Sequence, residues 1–209
     1  MTQNKSQPRF HLALDMDDTL CSFIGPVIHR AKELFGIQYK LPPYGKYSSW
    51  FRDSFEEHHQ KEILKSVFTP EFYLGLPSSF SPAHTTHSLA SVSATAWDLY
   101  KSISVVTARK EALGKNAESV TREWLRKHDF HRVDEVTIHI VSTCENKANY
   151  LSAESVLVDD SIHVVNSALA SDHRAVLLSQ PWNIGFPRRH DCIIAPIGRL
   201  NDALVRSAQ

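Results

Sequence analysis

The chain has 209 residues, 42% hydrophobic and 22% charged, the composition of a soluble globular protein with one sizeable core or a core carrying a smaller insertion. Lys plus Arg total 23 and Asp plus Glu total 23, so the formal net charge is zero, without the basic excess expected of a protein that grips a nucleic acid polymer. Small phosphate-bearing molecules stay open, because a local site can be strongly charged inside a neutral whole.

No apolar run approaches the roughly 20 residues that span a bilayer, and Met1–Arg9 has no signal-peptide stretch. The cysteines, Cys21, Cys144 and Cys192, are odd in number, far apart and without a CxxC pair. They fit reduced thiols, so a cytoplasmic protein with no membrane contact is expected.

Phe10–Asp15 reads as the first buried strand. The stretch 22–81 then breaks any strand rhythm; it is rich in aromatics and holds Pro42, Pro43 and Pro70. About 60 residues is too long for an ordinary strand-to-helix connection. We therefore expect 22–81 to be a small helical insertion, with 1–21 and 82–209 forming the core. Leu89, Val92, Ala96 and Leu99 recur at helical spacing, which predicts an amphipathic helix near 84–100 before the strand Ile103–Thr107. Ala117, Val120 and Trp124 predict the next helix, and Val136–Val141 alternates like an edge strand. Val156–Asp159 follows as a buried strand, Ser161 is placed to cap a helix over Ile162–Leu169, and Ala175–Leu178 is the last predicted strand. Strands alternating with helices define an α/β, doubly wound parallel sheet.

The chemistry concentrates at strand ends. The first strand runs into Asp15-Met16-Asp17-Asp18-Thr19, and crowded carboxylates repel one another unless a cation neutralises them. The carboxyl ends of strands are where doubly wound sheets bind ligands, and hard oxygen donors with room for phosphate suit Mg²⁺. A single Asp here would read as a helix cap or a solvated turn; the cluster, and a second pair Asp159-Asp160 at another strand end, argue for a metal site. Thr107 closes its strand before Ala108 and Arg109, where hydroxyl and backbone N–H groups can hold phosphate oxygens. Lys147 lies twelve residues before Asp159.

In this order the residues resemble the haloacid dehalogenase-like phosphohydrolase superfamily. Asp15-Met16-Asp17-Asp18-Thr19 matches its first motif, Thr107 the second, Lys147 the third and Asp159-Asp160 the fourth, and the 22–81 insertion corresponds to its helical cap over a Rossmann-like core. A looser resemblance is to the 5′(3′)-deoxyribonucleotidase family, through Asp-Met-Asp, Phe23 eight residues after Asp15, Phe72-Tyr73-Leu74-Gly75-Leu76 and Leu178-Ser179-Gln180-Pro181-Trp182-Asn183. Asp18 stands where that family usually has Gly, and Ala108-Arg109 where it has Ser-Pro.

The resemblance implies hydrolysis of a phosphate monoester, a nucleoside monophosphate by the narrower match, through an aspartyl-phosphate on Asp15. Asp17 would be the general acid and base. Mg²⁺ would be held by Asp15, the backbone carbonyl of Asp17 and Asp160, with Asp159 close by. Lys147 and Thr107 would take phosphate oxygens, with Ala108 and Arg109 beside them. Phe23, Phe51 and Phe68 are the candidates to stack on a base. Dimers are common among related folds, which leaves room for a homodimer. The same machinery would serve another small phosphorylated metabolite. A receiver-type signalling domain, phosphorylated on Asp without turnover, is the alternative of a different class, but it has no 60-residue cap and carries its phosphorylated Asp on a middle strand. His58-His59, His84 and His87 read as surface histidines rather than a zinc site, Arg188-Arg189-His190 as a solvated loop, and Cys21 as no nucleophile.

Overall fold

The apolar runs become strands where helices cover both of their faces. In the computed structural model, which describes residues 8–43, 47–80, 87–187 and 192–209, His11–Leu14 forms β1. Helices α1 (Ile24–Phe35), α2 (Tyr47–Ser54), α3 (Glu57–Val67) and α4 (Pro70–Gly75) come next. Then α5 (Leu89–Leu99) leads into β2 (Ser102–Thr107), and α6 (Lys110–Leu113) and α7 (Ala117–Lys127) lead into β3 (Thr137–Ile140). A 3-10 turn over Cys144–Tyr150 precedes β4 (Ser155–Asp159), followed by α8 (Ile162–Ala170), β5 (Arg174–Ser179), β6 (Cys192–Pro196) and α9 (Leu200–Ser207). His84 and the run Arg188–His190 lie outside the described residues.

The strands pair in parallel in the order β3-β2-β1-β4-β5-β6, the doubly wound sheet that the sequence predicts, with β3 at an edge. Leu14 pairs in register with Val105 on one side and Val158 on the other. The carboxyl ends of β1, β2 and β4 therefore emerge side by side. Period-two alternation divides the core. Leu12, Leu14, Ile103, Val105, Val156 and Val158 face one layer of helices, while Ala13, Val106 and Leu157 face the other with Val164 and Ala168 of α8. β6 and α9 extend beyond the predicted elements. In α9, Leu200, Ala203 and Leu204 are buried at helical spacing, and the buried Tyr100 hydroxyl donates to the Leu204 carbonyl at 3.0 Å.

Between β1 and α5 the chain builds a second, smaller core. Ile24, Val27 and Ala31 of α1 meet Ile63 and Val67 of α3, with Trp50 and Phe55 filling the space between. Further along, Tyr73, Leu76 and Phe80 join the main core, and the Trp124 indole of α7 donates to the Leu76 carbonyl at 2.8 Å. The smaller core draws on buried residues between 24 and 67 together with Trp182, while the segment at the end of α4 is tied to α7 by this bond and by Lys127 Nζ donating to the Leu74 carbonyl at 2.8 Å.

Two local expectations need correction. Ser161 stands at the N-cap of α8 but its side chain makes no cap bond; Asp159 Oδ1 accepts the Ser161 N–H instead, at 2.8 Å. His58 and His59 divide: His58 is exposed, while His59 is buried, packs on Phe35 at 4.0 Å and shares a hydrogen bond with the Tyr39 hydroxyl.

Candidate active site

The turn after β1 gives Asp18 a local structural role. Asp18 has φ of 57°, the left-handed region that costs an ordinary side chain energy but is tolerated by Asp. The backbone amides of Leu20 and Cys21 both donate to the Met16 carbonyl, which forces this tight reversal. Asp18 compensates by capping α1 at a distance: its Oδ1 accepts the N–H groups of Phe23 at 2.8 Å and Ile24 at 3.1 Å, where Phe23 itself offers no cap. Asp18→Ala is expected to lose about 2 kcal/mol of stability, since both the cap and the tolerance of left-handed backbone vanish. Asp18→Gly should lose less, because Gly relieves the strain; comparison of the two melting temperatures checks the order.

Asp15 leaves β1 still bonded to the sheet, its N–H donating to the Val158 carbonyl at 3.0 Å. Lys147, carried by the 3-10 turn before β4, places Nζ 2.6 Å from Asp15 Oδ1 and 2.9 Å from Asp159 Oδ2. Carboxylate oxygens of Asp15, Asp159 and Asp160 lie within 4.8 Å of one another, and all three residues are buried. Burial pushes the Asp15 carboxyl up to about 7; Lys147 pulls it down, while Asp159 and Asp17 push it up again. Asp160 is held well above the carboxylate range by burial and by Asp159, Asp18 and Asp15. Burial alone would lower Lys147, but Asp15 and Asp159 carry it above its usual value. Such a surplus of buried negative charge fits a divalent cation with oxygen ligands.

Asp17 has a different partner. Arg109, with no exposed surface, grips it through Nη2 to Oδ1 at 2.5 Å and Nε to Oδ2 at 3.2 Å. The guanidinium also lies over the Tyr73 ring at 4.6 Å and touches Cys21 Sγ at 3.1 Å. The Cys21 thiol is raised well above its ordinary value by burial and by Asp17, so it is protonated, as expected of a cysteine that is not a nucleophile. Thr107 and Arg109 are buried with Ala108 exposed between them. Thr107 Oγ1 and Arg109 Nη1 are among the buried polar atoms of the described residues that have no hydrogen-bond partner.

The aromatics separate by position. Phe23 sits against Tyr73, with ring centroids 5.8 Å apart, and against Phe72 at 6.3 Å. Phe51 packs on Phe55 at 4.9 Å in the smaller core, and Phe68 is 36% exposed where α3 ends. The structure thus gathers Asp15, Lys147, Asp159 and Asp160, and ties Asp17 to Arg109, while Phe51 packs in the smaller core. It adds residues to which sequence reasoning gave no role. Trp182 Nε1 donates to Asp160 Oδ2 at 2.8 Å, and Asn183 Nδ2 donates to the Asp160 carbonyl at 2.8 Å. Gln180 Nε2 donates to the Asp18 carbonyl at 2.7 Å. The signal for them was the Gln180–Asn183 segment, conspicuous after the last predicted strand.

A parallel sheet in this order, with acids at the ends of β1 and β4 and helices inserted after β1, has the haloacid dehalogenase-like hydrolase fold. Solved structures across this class superpose on the chain. A haloacid dehalogenase-like hydrolase from Streptococcus pneumoniae is 13% identical, over 96% of this chain and 99% of that one, with a TM-score of 0.61. The hydrolase YfnB from Bacillus subtilis, bound to magnesium and described as revealing interdomain movement, is 11% identical over 96% and 99% of the chains, with a TM-score of 0.54. CbbY from Rhodobacter sphaeroides, in complex with xylulose-1,5-bisphosphate, is 11% identical over 90% and 94%, with a TM-score of 0.56. No family model and no curated relative matches the chain. No helix among the described residues is long and apolar enough to cross a membrane.

Proposed function

We propose that the protein is a Mg²⁺-dependent phosphatase of small phosphorylated metabolites that works through an aspartyl-phosphate. The carrying observation is Lys147 bridging Asp15 and Asp159 while the Asp160 carboxylate closes on the same point. The magnesium in YfnB and the sugar bisphosphate in CbbY support the metal and the substrate class. The oxygen-only donor set here fits Mg²⁺, which Asp15, Asp160 and the backbone carbonyl of Asp17 would hold, with Asp159 beside them. When bound, it supplies the positive charge that lets one anion approach another.

The chain's own residues do the rest. A carboxylate oxygen of Asp15 attacks phosphorus, the bond from phosphorus to the ester oxygen breaks, and Asp17 gives that oxygen a proton. In the second half, Asp17 takes a proton from water as the water oxygen attacks phosphorus, and the bond to Asp15 breaks to release phosphate. Two hydrogen bonds from the Arg109 guanidinium hold the Asp17 carboxyl in place. Thr107 Oγ1 and the Lys147 ammonium serve the phosphate oxygens as donors.

Within this reading, the finer assignment is a 5′(3′)-deoxyribonucleotidase acting on deoxynucleoside monophosphates. It is supported by the motif resemblance and by Phe23, held between Phe72 and Tyr73 with Tyr73 against Arg109. A reducing cytoplasm suits the protein, since no disulfide joins its cysteines. Phosphate release should be screened over nucleoside monophosphates and sugar phosphates, with Mg²⁺ and then EDTA. Activity with Mg²⁺ and none in EDTA is expected. Turnover of sugar phosphates alone would remove the nucleotide assignment, and turnover of nothing, with stable phosphorylation by acetyl phosphate, would remove the phosphatase.

A further inference from the structure

One loop touches both the candidate cation site and the smaller core. Trp182, buried between β5 and β6, donates its indole N–H to Asp160 Oδ2 at 2.8 Å. Its ring lies in the cluster formed by Ile24, Val27, Ala31, Ile63 and Val67 of α1 and α3. The loop is firmly held. Asn183 Nδ2 donates to the carbonyls of Leu178 at 2.6 Å and Asp160 at 2.8 Å, and its Oδ1 accepts the Gln180 N–H at 2.8 Å. A second tie runs from Gln180 Nε2 to the Asp18 carbonyl at 2.7 Å, and Asp18 Oδ1 caps the start of α1.

We infer that Trp182 is a positioning residue that couples cation binding at Asp160 to closure of the 24–67 unit. The indole N–H fixes one oxygen of Asp160 and so sets the direction in which the other faces the cation. The same ring must keep its apolar seat among α1 and α3 to hold that direction. If the unit swings out, Trp182 either follows it and releases Asp160, or stays and exposes apolar surface on both sides. A cation that needs Asp160 correctly aimed therefore favours the closed arrangement, and closure raises affinity for the cation by the same factor. This rests on the functional reading above, since it takes Asp160 as a Mg²⁺ ligand.

The test uses the full chain and Mg²⁺ alone, read by titration calorimetry and by amide hydrogen exchange in α1 and α3. In the native protein, saturating Mg²⁺ should slow exchange in both helices. Trp182→Phe keeps an aromatic ring but has no N–H; it should bind Mg²⁺ roughly tenfold more weakly, the order found when a ligand's supporting partner is removed, and its α1 and α3 exchange should no longer respond to saturating Mg²⁺. Native affinity in the variant overturns the inference, as does native α1 and α3 exchange that ignores Mg²⁺. The native arm decides the matter should the variant fail to fold. A native chain that binds no Mg²⁺ takes the functional reading down along with the coupling; binding without coupling removes the coupling alone.

Discussion

Asp15→Asn should release phosphate roughly a thousandfold more slowly than the native chain, a barrier increase of about 4 kcal/mol, while remaining folded. The amide cannot attack phosphorus, so the loss is one of chemistry. The fold should tolerate the change, because burial already carries the Asp15 carboxyl up to about 7 and so favours the neutral form that Asn imitates. A single-turnover assay with labelled substrate checks both halves of the statement: label should stay on the native protein after an acid quench and be absent from the variant. Activity within tenfold of native would place the nucleophile elsewhere.

Lys147→Met should show the second large effect, in stability as well as activity. The ammonium is 4% exposed and is the positive partner of both Asp15 and Asp159. Removing one partner of a buried ion pair costs roughly 3–5 kcal/mol. The sign with pH follows from Asp15, whose carboxyl lies at about 7 in the folded chain against an ordinary 3.8. The folded state binds this proton more tightly than the unfolded one, so its contribution is complete below the unfolded value and is lost as pH rises toward about 7. Lys147 is what pulls the carboxyl down; without it the losing range extends to higher pH. Melting curves in EDTA should therefore separate the variant from the native chain at pH 5, through the lost pair with Asp159, and more widely at pH 8. Coincident curves at pH 8 would refute the buried pairing. Phosphate release should fall about a hundredfold or more, as when a donor to a developing charge is lost.

The fold was legible where covalent order and spatial order agree. Continuous apolar runs at β1, β2 and β4 announce strands covered on both faces, and the residue that ends each run, Asp15, Thr107 or Asp159, must then emerge at one rim of a parallel sheet. β6 escaped notice because Cys192–Pro196 is short and ends in proline, so no pattern separates it from a loop. Arg109 shows the limit for side chains. The fold brings Asp17 within 2.5 Å of it, a meeting across 92 residues that no local spacing reveals. Phe51 shows another limit: an aromatic residue supplies the same apolar area to a ligand or to a small core, and its place in the sequence does not distinguish the two. Ser161 makes no cap bond, and Asp159, two residues earlier, accepts the N–H of Ser161 itself.

Asp15, Thr107, Lys147, Asp159 and Asp160 are all buried. A phosphoryl group has to travel inward to meet them, and whatever carries it must travel part of the way too. A free metabolite would meet that demand more readily than a phosphorylated side chain anchored in another protein. For the phosphatase proposed above, bulk would be screened before charge is felt.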